Sequence, residues 1–186
     1  MKRLFFALDI TNNDKQLLTH WRDKALNLPF KTITTENFHI TLAFLGNTSS
    51  VQQQQLTDSA NKFSQQISPI TSPILQLNHV GLFKKPKVMY LGLQTCPDWL
   101  NDLANNLSQA AIKIGLLQEK RAYCPHLSIY RKAHAMDDGS LNIGMSDIEM
   151  SDKKIIIKIN SFSLYRSVSS EQGVIYTPIT TWKLTT

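Results

Sequence analysis

Phe38-His39-Ile40-Thr41-Leu42 and Pro125-His126-Leu127-Ser128-Ile129 repeat one pattern, histidine, apolar, hydroxyl, apolar, at two places 87 residues apart. In a strand, residues i and i+2 share a face about 6.5–7 Å apart, while the residues between them face the other way. Each copy therefore predicts an imidazole and a hydroxyl side by side. Ile40 and Leu42, or Leu127 and Ile129, would anchor the strand in a core behind them. Two copies among five histidines amount to an internal repeat. The repeat predicts a pseudo-two-fold that brings His39 and His126 to opposite walls of one cleft.

Working outward, Lys2 to Ile10 reads as a strand, and Asn12-Asn13-Asp14 offers caps for a helix with Leu17, Leu18, Trp21, Ala25 and Leu28 at helical spacing, stopped by Pro29. The first motif's strand is expected to end at a turn, Gly46-Asn47. A helix capped by Ser49 or Ser50 then buries Val51, Leu56, Phe63 and Ile67. Strands Ile74 to Phe83 and Val88 to Leu93 flank the hairpin turn Lys84-Lys85-Pro86-Lys87. A third helix runs from Pro97 to Gly115 with Leu100, Leu103, Leu107, Ala111 and Ile114 in one stripe. The second motif sits in a strand from Tyr123 to Arg131. A loop from His134 to Asp147 follows, and two strands, Ile155 to Arg166 and Val174 to Leu184, finish the chain. The order β-α-β-α-β-β-α-β-β-β is mixed α+β with mostly antiparallel pairing. No change of composition separates two halves, so residues 1–186 are expected to form a single domain.

The chain has 186 residues, 42% hydrophobic and 18% charged, which supports a packed core and excludes intrinsic disorder. Its apolar runs are far short of the roughly 20 residues that span a bilayer. Asp9 ends the apolar run after Lys2-Arg3 too early for a signal peptide. Cys96 and Cys124 form no CxxC pair, which excludes a cysteine-based zinc module and fits a reducing cytoplasm. The formal charge of +6 suits either solubility or an anionic partner, and composition does not choose between them.

Paired histidines suit an in-line displacement at phosphorus. One imidazole takes a proton from the attacking group while the other protonates the leaving oxygen opposite, each role typically worth about 10²–10⁴ in rate. Neither role requires a metal or cofactor. The hydroxyls of Thr41 and Ser128 are neutral donors for the non-bridging phosphate oxygens.

These paired motifs resemble those of the 2H phosphoesterase superfamily. Leu4-Phe5-Phe6-Ala7-Leu8, the run Phe38 to Gly46, Pro125-His126, and Tyr176-Thr177-Pro178 with Trp182 are similar to the bacterial and archaeal RNA 2′,3′-cyclic phosphodiesterases, also called 2′-5′ RNA ligases. The resemblance implies a bilobal α+β fold with two mainly antiparallel sheets around a central cleft. It implies hydrolysis of RNA 2′,3′-cyclic phosphate ends to 2′-phosphomonoesters, with His39 the proton donor to the leaving 3′ oxygen, His126 the acceptor that activates water, and reversible 2′-5′ ligation at the same site. RNA ends such as tRNA fragments would be the partner of a monomeric chain.

Relatives carry an arginine at the place of Arg131, where a guanidinium can grip phosphate. Arg131 lies at odd spacing from His126, so it reaches the cleft only if the strand ends or bulges. Phe6 is a candidate to border the cleft and stack a terminal base. Two departures stand out. Ser128 replaces a common threonine, and Arg166 replaces an acidic or small residue after Leu164-Tyr165.

His20, His79 and His134 lack the motif and read as structural or surface residues, and a zinc site from His39, His126 and His134 would lack close spacing. Cys124 reads as a small thiol rather than a nucleophile. Lys84, Lys85 and Lys87 read as a solvated hairpin tip, whereas Lys120, Arg121, Arg131 and Lys132 lie near the second motif. The alternatives are a catalytically idle RNA- or nucleotide-binding domain, and a 2H enzyme acting on a small cyclic phosphate or a 2′,5′-linked oligonucleotide.

Overall fold

The computed structural model describes residues 1–66, 73–118, 122–133, 155–171 and 173–184. The long-loop segment 134–147 and the cations Lys120 and Arg121 lie outside them, as does Ile67.

Strand β1, Lys2–Asp9, is buried on both faces from Leu4 to Leu8 and lies inside the main sheet. Thr11, rather than the asparagines after it, caps helix α1, Asn12–Trp21, its hydroxyl accepting from the Asp14 amide at 3.1 Å. The helix widens into a π-helical turn, Arg22–Leu26, and stops at Asn27 in the left-handed region, φ 35°, two residues before Pro29. Strand β2, Lys31–Thr32, and a 3-10 turn, Thr35–Asn37, lead into β3, His39–Thr48. Helix α2, Ser50–Gln66, buries Leu56 and Ala60 and leaves Val51 69% exposed, so Val51 does not belong to its buried stripe.

The apolar run 74–83 divides at Asn78 into β4, Ile74–Leu77, and β5, His79–Phe83. The run 155–166 divides likewise into β8, Ile155–Lys158, and β9, Ser161–Ser170. The split frees β4 and β8 to pair as a separate two-stranded ribbon. Strand β6, Val88–Gly92, helix α3, Asp98–Lys113, β7, His126–Arg131, and β10, Gly173–Lys183, complete the described elements.

The main sheet runs β10-β9-β1-β3-β7-β6-β5, with β2 also paired to β7, and the pairings among its described residues are antiparallel. The two expected sheets thus appear as two halves, β10-β9-β1-β3 and β7-β6-β5, that meet at the pair Ile40↔Leu127. The repeated motifs form the seam. Behind it lies one core containing Leu4, Phe6, Leu8, Ile40, Leu91, Leu127, Ile129, Tyr130, Phe162 and the α3 stripe. Burying an aliphatic or aromatic side chain of this size stabilises by about 1.5–3 kcal/mol, which is why the apolar positions of both motifs hold their strands rigidly.

Both motif strands bulge three residues after their histidine. In β3 the register passes from Ala7↔Thr41 to Phe6↔Ala43, leaving Leu42 as the extra residue. In β7 it passes from Tyr90↔Ser128 to Met89↔Tyr130, leaving Ile129. Each bulge buries two consecutive residues and reverses the alternation. Phe44 and Arg131, each five residues past a histidine, are thereby returned to the histidine face. Gly46, at φ 65°, sits at a further register shift within β3 rather than in the expected turn.

Candidate functional site

Continuing the Ile40↔Leu127 register one residue each way sets His39 opposite Ser128 and Thr41 opposite His126. Each imidazole stands beside the other motif's hydroxyl, and the two histidines are diagonal neighbours with Cα atoms about 7–8 Å apart. The four side chains expected to converge, His39, Thr41, His126 and Ser128, share one face of the seam.

Both histidine rings are fixed in the same way. His39 Nδ1 lies 2.6 Å from the Asn37 carbonyl oxygen and His126 Nδ1 lies 2.8 Å from the Cys124 carbonyl oxygen. A carbonyl only accepts, so Nδ1 carries the hydrogen in both rings and Nε2 is the nitrogen available for proton transfer. The carbonyl two residues upstream is positioned differently in each case. Asn37 closes the 3-10 turn, which is tied to β10 by Asn37 Nδ2 donating to the Val174 carbonyl at 2.7 Å and to α1 by Lys15 Nζ donating to the Glu36 carbonyl at 2.8 Å. Cys124 precedes buried Pro125, whose ring restricts the residue before it to extended backbone.

Each ring is also held between a phenylalanine and a tyrosine. His39 contacts Phe5 and Tyr176, ring centroids 5.0 Å away in both cases, and His126 contacts Phe83 at 4.8 Å and Tyr90 at 5.4 Å. Enclosure pushes the His39 imidazole down to about 4. Loss of water is the largest cause. The Asn37 carbonyl opposes it, and positive charge at His126, Lys15 and Arg131 adds to it. Burial likewise raises the Tyr90 hydroxyl, with the neighbouring Cys124 adding to the effect.

Arg131 is on the cleft side. Its Nη2 donates to the Tyr176 hydroxyl at 3.2 Å, and its charge reaches His39. Phe6 is not. It is fully buried on the opposite face, against Phe162 and Trp182. Strand alternation explains the correction: Phe5 faces the histidines and Phe6 the core. Asp9, paired in register with His39, is occupied by three donors, Ser161 at 2.6 Å, Ser163 at 2.9 Å and Tyr165 at 2.6 Å.

Beside His126 and Thr41 opens a groove of about 620 Å³ whose lining includes Phe44, Phe83, Asn105 and Gln109, a size that accepts a small ligand. Among the described residues no three His, Cys, Asp or Glu side chains cluster as metal ligands. No described helix is long and apolar enough to cross a membrane.

Residues 8–90 match the model of the LigT like Phosphoesterase family. The RNA 2′,3′-cyclic phosphodiesterase of Escherichia coli is 29% identical over 99% of this chain and 97% of its own length, and that of Methanocaldococcus jannaschii is 26% identical over 97% and 99%. The crystal structure of E. coli LigT complexed with 3′-AMP superposes with a TM-score of 0.81, at 28% identity over 100% of this chain and 99% of that one.

The chain is similar to the LigT-like phosphoesterases over residues 8–90 and to E. coli LigT over its whole length.

Its α+β fold and mostly antiparallel sheet match those of E. coli LigT. Sequence reasoning missed Phe5, Tyr90, Tyr176 and Lys15. Alternation along β1 would have found Phe5. Tyr176 carries part of the family resemblance, but nothing local places it beside His39, to which it is brought from 137 residues further along the chain.

Proposed function

We propose that this chain is an RNA 2′,3′-cyclic phosphodiesterase that opens the terminal cyclic phosphate to a 2′-phosphomonoester by paired histidine acid–base catalysis. The observation that carries the reading is the seam itself: two imidazoles with identical Nδ1 anchoring, diagonal to one another, each beside a hydroxyl.

Water attacks phosphorus as His126 Nε2 takes its proton, and the bond to the 3′ oxygen breaks as His39 Nε2 supplies one. The Cys124 carbonyl stabilises the imidazolium formed at His126. Thr41, Ser128 and Arg131 receive the non-bridging oxygens. His39 presents a condition on this scheme, because an imidazole at about 4 is neutral at pH 7 in the empty site. The bound phosphate anion supplies the missing counter-charge, so His39 gains its proton in the substrate complex. The groove next to Thr41 and His126 has the aromatic faces and amides to accommodate a nucleoside. The chain would act as a monomer in the cytoplasm on RNA ends such as tRNA fragments, and 2′-5′ ligation is the same chemistry with an RNA 5′-hydroxyl replacing water.

The test is turnover, in EDTA, of an oligoribonucleotide ending in a 2′,3′-cyclic phosphate. A 2′-phosphomonoester product is expected. His39→Ala and His126→Ala should each lower kcat by about 10²–10⁴, and wild-type turnover in either variant overturns the two-histidine mechanism.

A further inference from the structure

Tyr176 lies on β10, separated from β7 by three intervening strands of the sheet, yet its hydroxyl accepts the hydrogen bond from Arg131 Nη2. Its ring stands edge-on to His39 and to Phe5, both centroids 5.0 Å away. One side chain thus touches an imidazole of one half of the sheet and a guanidinium of the other. His126 has its own tyrosine, Tyr90, but that residue lies on β6, the strand next to β7 in the same half of the sheet. Of these two tyrosines, Tyr176 is the one that reaches across.

Arg131 has no carboxylate partner among the described residues, whose one ion pair is Arg22 with Asp23. A carboxylate holding this guanidinium would compete with phosphate for it. A hydroxyl holds it without neutralising it, and the Tyr176 O–H, whose lone pair takes the Arg131 hydrogen, keeps its own hydrogen to donate. An exposed arginine otherwise loses its rotamer freedom when an anion binds, and prior restraint removes part of that cost.

We propose that Tyr176 is the positioning residue of the phosphate site: its hydroxyl holds the Arg131 fork over the cleft, and its ring fixes the orientation of His39 and shields it from water. The proposal rests on the functional reading above. The charged groups that face His39 are Lys15 from α1, Arg131 and His126 from β7, and Asp9 beside it on β1. Loss of the Tyr176 ring changes none of these charges, only the solvent around the imidazole and the grip on Arg131.

Two variants separate the two duties. Tyr176→Phe keeps the ring. It should raise KM for the cyclic-phosphate oligoribonucleotide about fivefold, weaken competitive inhibition by inorganic phosphate in parallel, leave kcat within twofold and leave the acidic limb of the pH profile in place. In an Arg131→Met background the same change should add nothing. Tyr176→Leu keeps an apolar body in the same place but removes the aromatic wall. It should move the acidic limb up by at least half a pH unit and lower kcat about tenfold. Unchanged KM and phosphate inhibition in Tyr176→Phe overturns the proposal, as does an effect that persists in the Arg131→Met background or an unmoved limb in Tyr176→Leu. Direct calorimetry of inorganic phosphate binding to wild type and Tyr176→Phe is a separate readout. Weaker binding in the variant, with no hydrolysis by wild type, would fail the functional reading and sustain the Tyr176 assignment.

Discussion

His39 is the residue whose surroundings say most about the chemistry. A ring with its Nδ1–H committed to a carbonyl and its edges against Phe5 and Tyr176 keeps its neutral form down to about pH 4. In the unfolded chain the same group titrates near 6.5. Between those values protons bind the unfolded chain in preference, so acidification from pH 6.5 to 4 erodes stability, by up to about 2–3 kcal/mol from this group. His39→Gln removes that contribution. Urea midpoints at pH 7 and pH 4.5 should therefore fall less in the variant than in wild type, and equal falls would contradict the enclosure of the ring. The kinetic counterpart is a bell-shaped kcat/KM with its acidic limb near pH 4, where the His39 imidazole takes up its proton. The limb should rise in kcat, because bound phosphate favours the imidazolium. A limb at 6.5 in both parameters would count against it.

At the scale of elements, β5 and β6 build the wall behind His126, and the wall depends on an absent side chain. Gly81 pairs with Tyr90, and a Cβ added there would lie 2.1 Å from Tyr90 Cζ. The tyrosine ring lies across the glycine and packs on Phe83 at 4.3 Å and His126 at 5.4 Å. Gly81→Ala must push that ring off the histidine. The expected cost is about 1–3 kcal/mol of stability from overpacking and roughly tenfold in kcat from a loosened imidazole. Tyr90→Ala added to Gly81→Ala should restore part of the stability but none of the rate, and strictly additive stability losses would show that the clash is not the cause. This wall also marks the limit of what the sequence reveals. The His-apolar-hydroxyl spacing located four side chains on one strand face, because alternation is a local property. Leu42 and Ile129 look like ordinary apolar residues, so nothing local announces the bulges that return Phe44 and Arg131 to that face. Runs 74–83 and 155–166 each read as one strand because their apolar pattern continues through the breaks, and only the partner strands reveal that each half joins a different sheet. Tyr176 and Gly81 acquire meaning only from tertiary neighbours.

At the scale of the whole molecule, two halves meet along the motif strands, and few of the described cations stand at that seam. The formal charge is +6. Of the described cations, Arg131 is tied into the site, Lys15 faces His39 while bonded to the Glu36 carbonyl, and Lys31 pairs in register with Arg131. That is enough for a terminal phosphate and a neighbour or two. A single-stranded ligand releases counterions with a slope in log–log salt plots of about 0.7 per phosphate neutralised, so two or three contacts predict a slope for kcat/KM of about −1.5 to −2. Lengthening the oligoribonucleotide beyond about four nucleotides should leave the slope unchanged, because no continuous basic path among the described residues follows the strand away from the seam. A slope that steepens steadily with RNA length, reaching about −5, would mean that the protein grips the body of the RNA. The cyclic end would then be one contact among many, and the recognition would no longer be set at the seam.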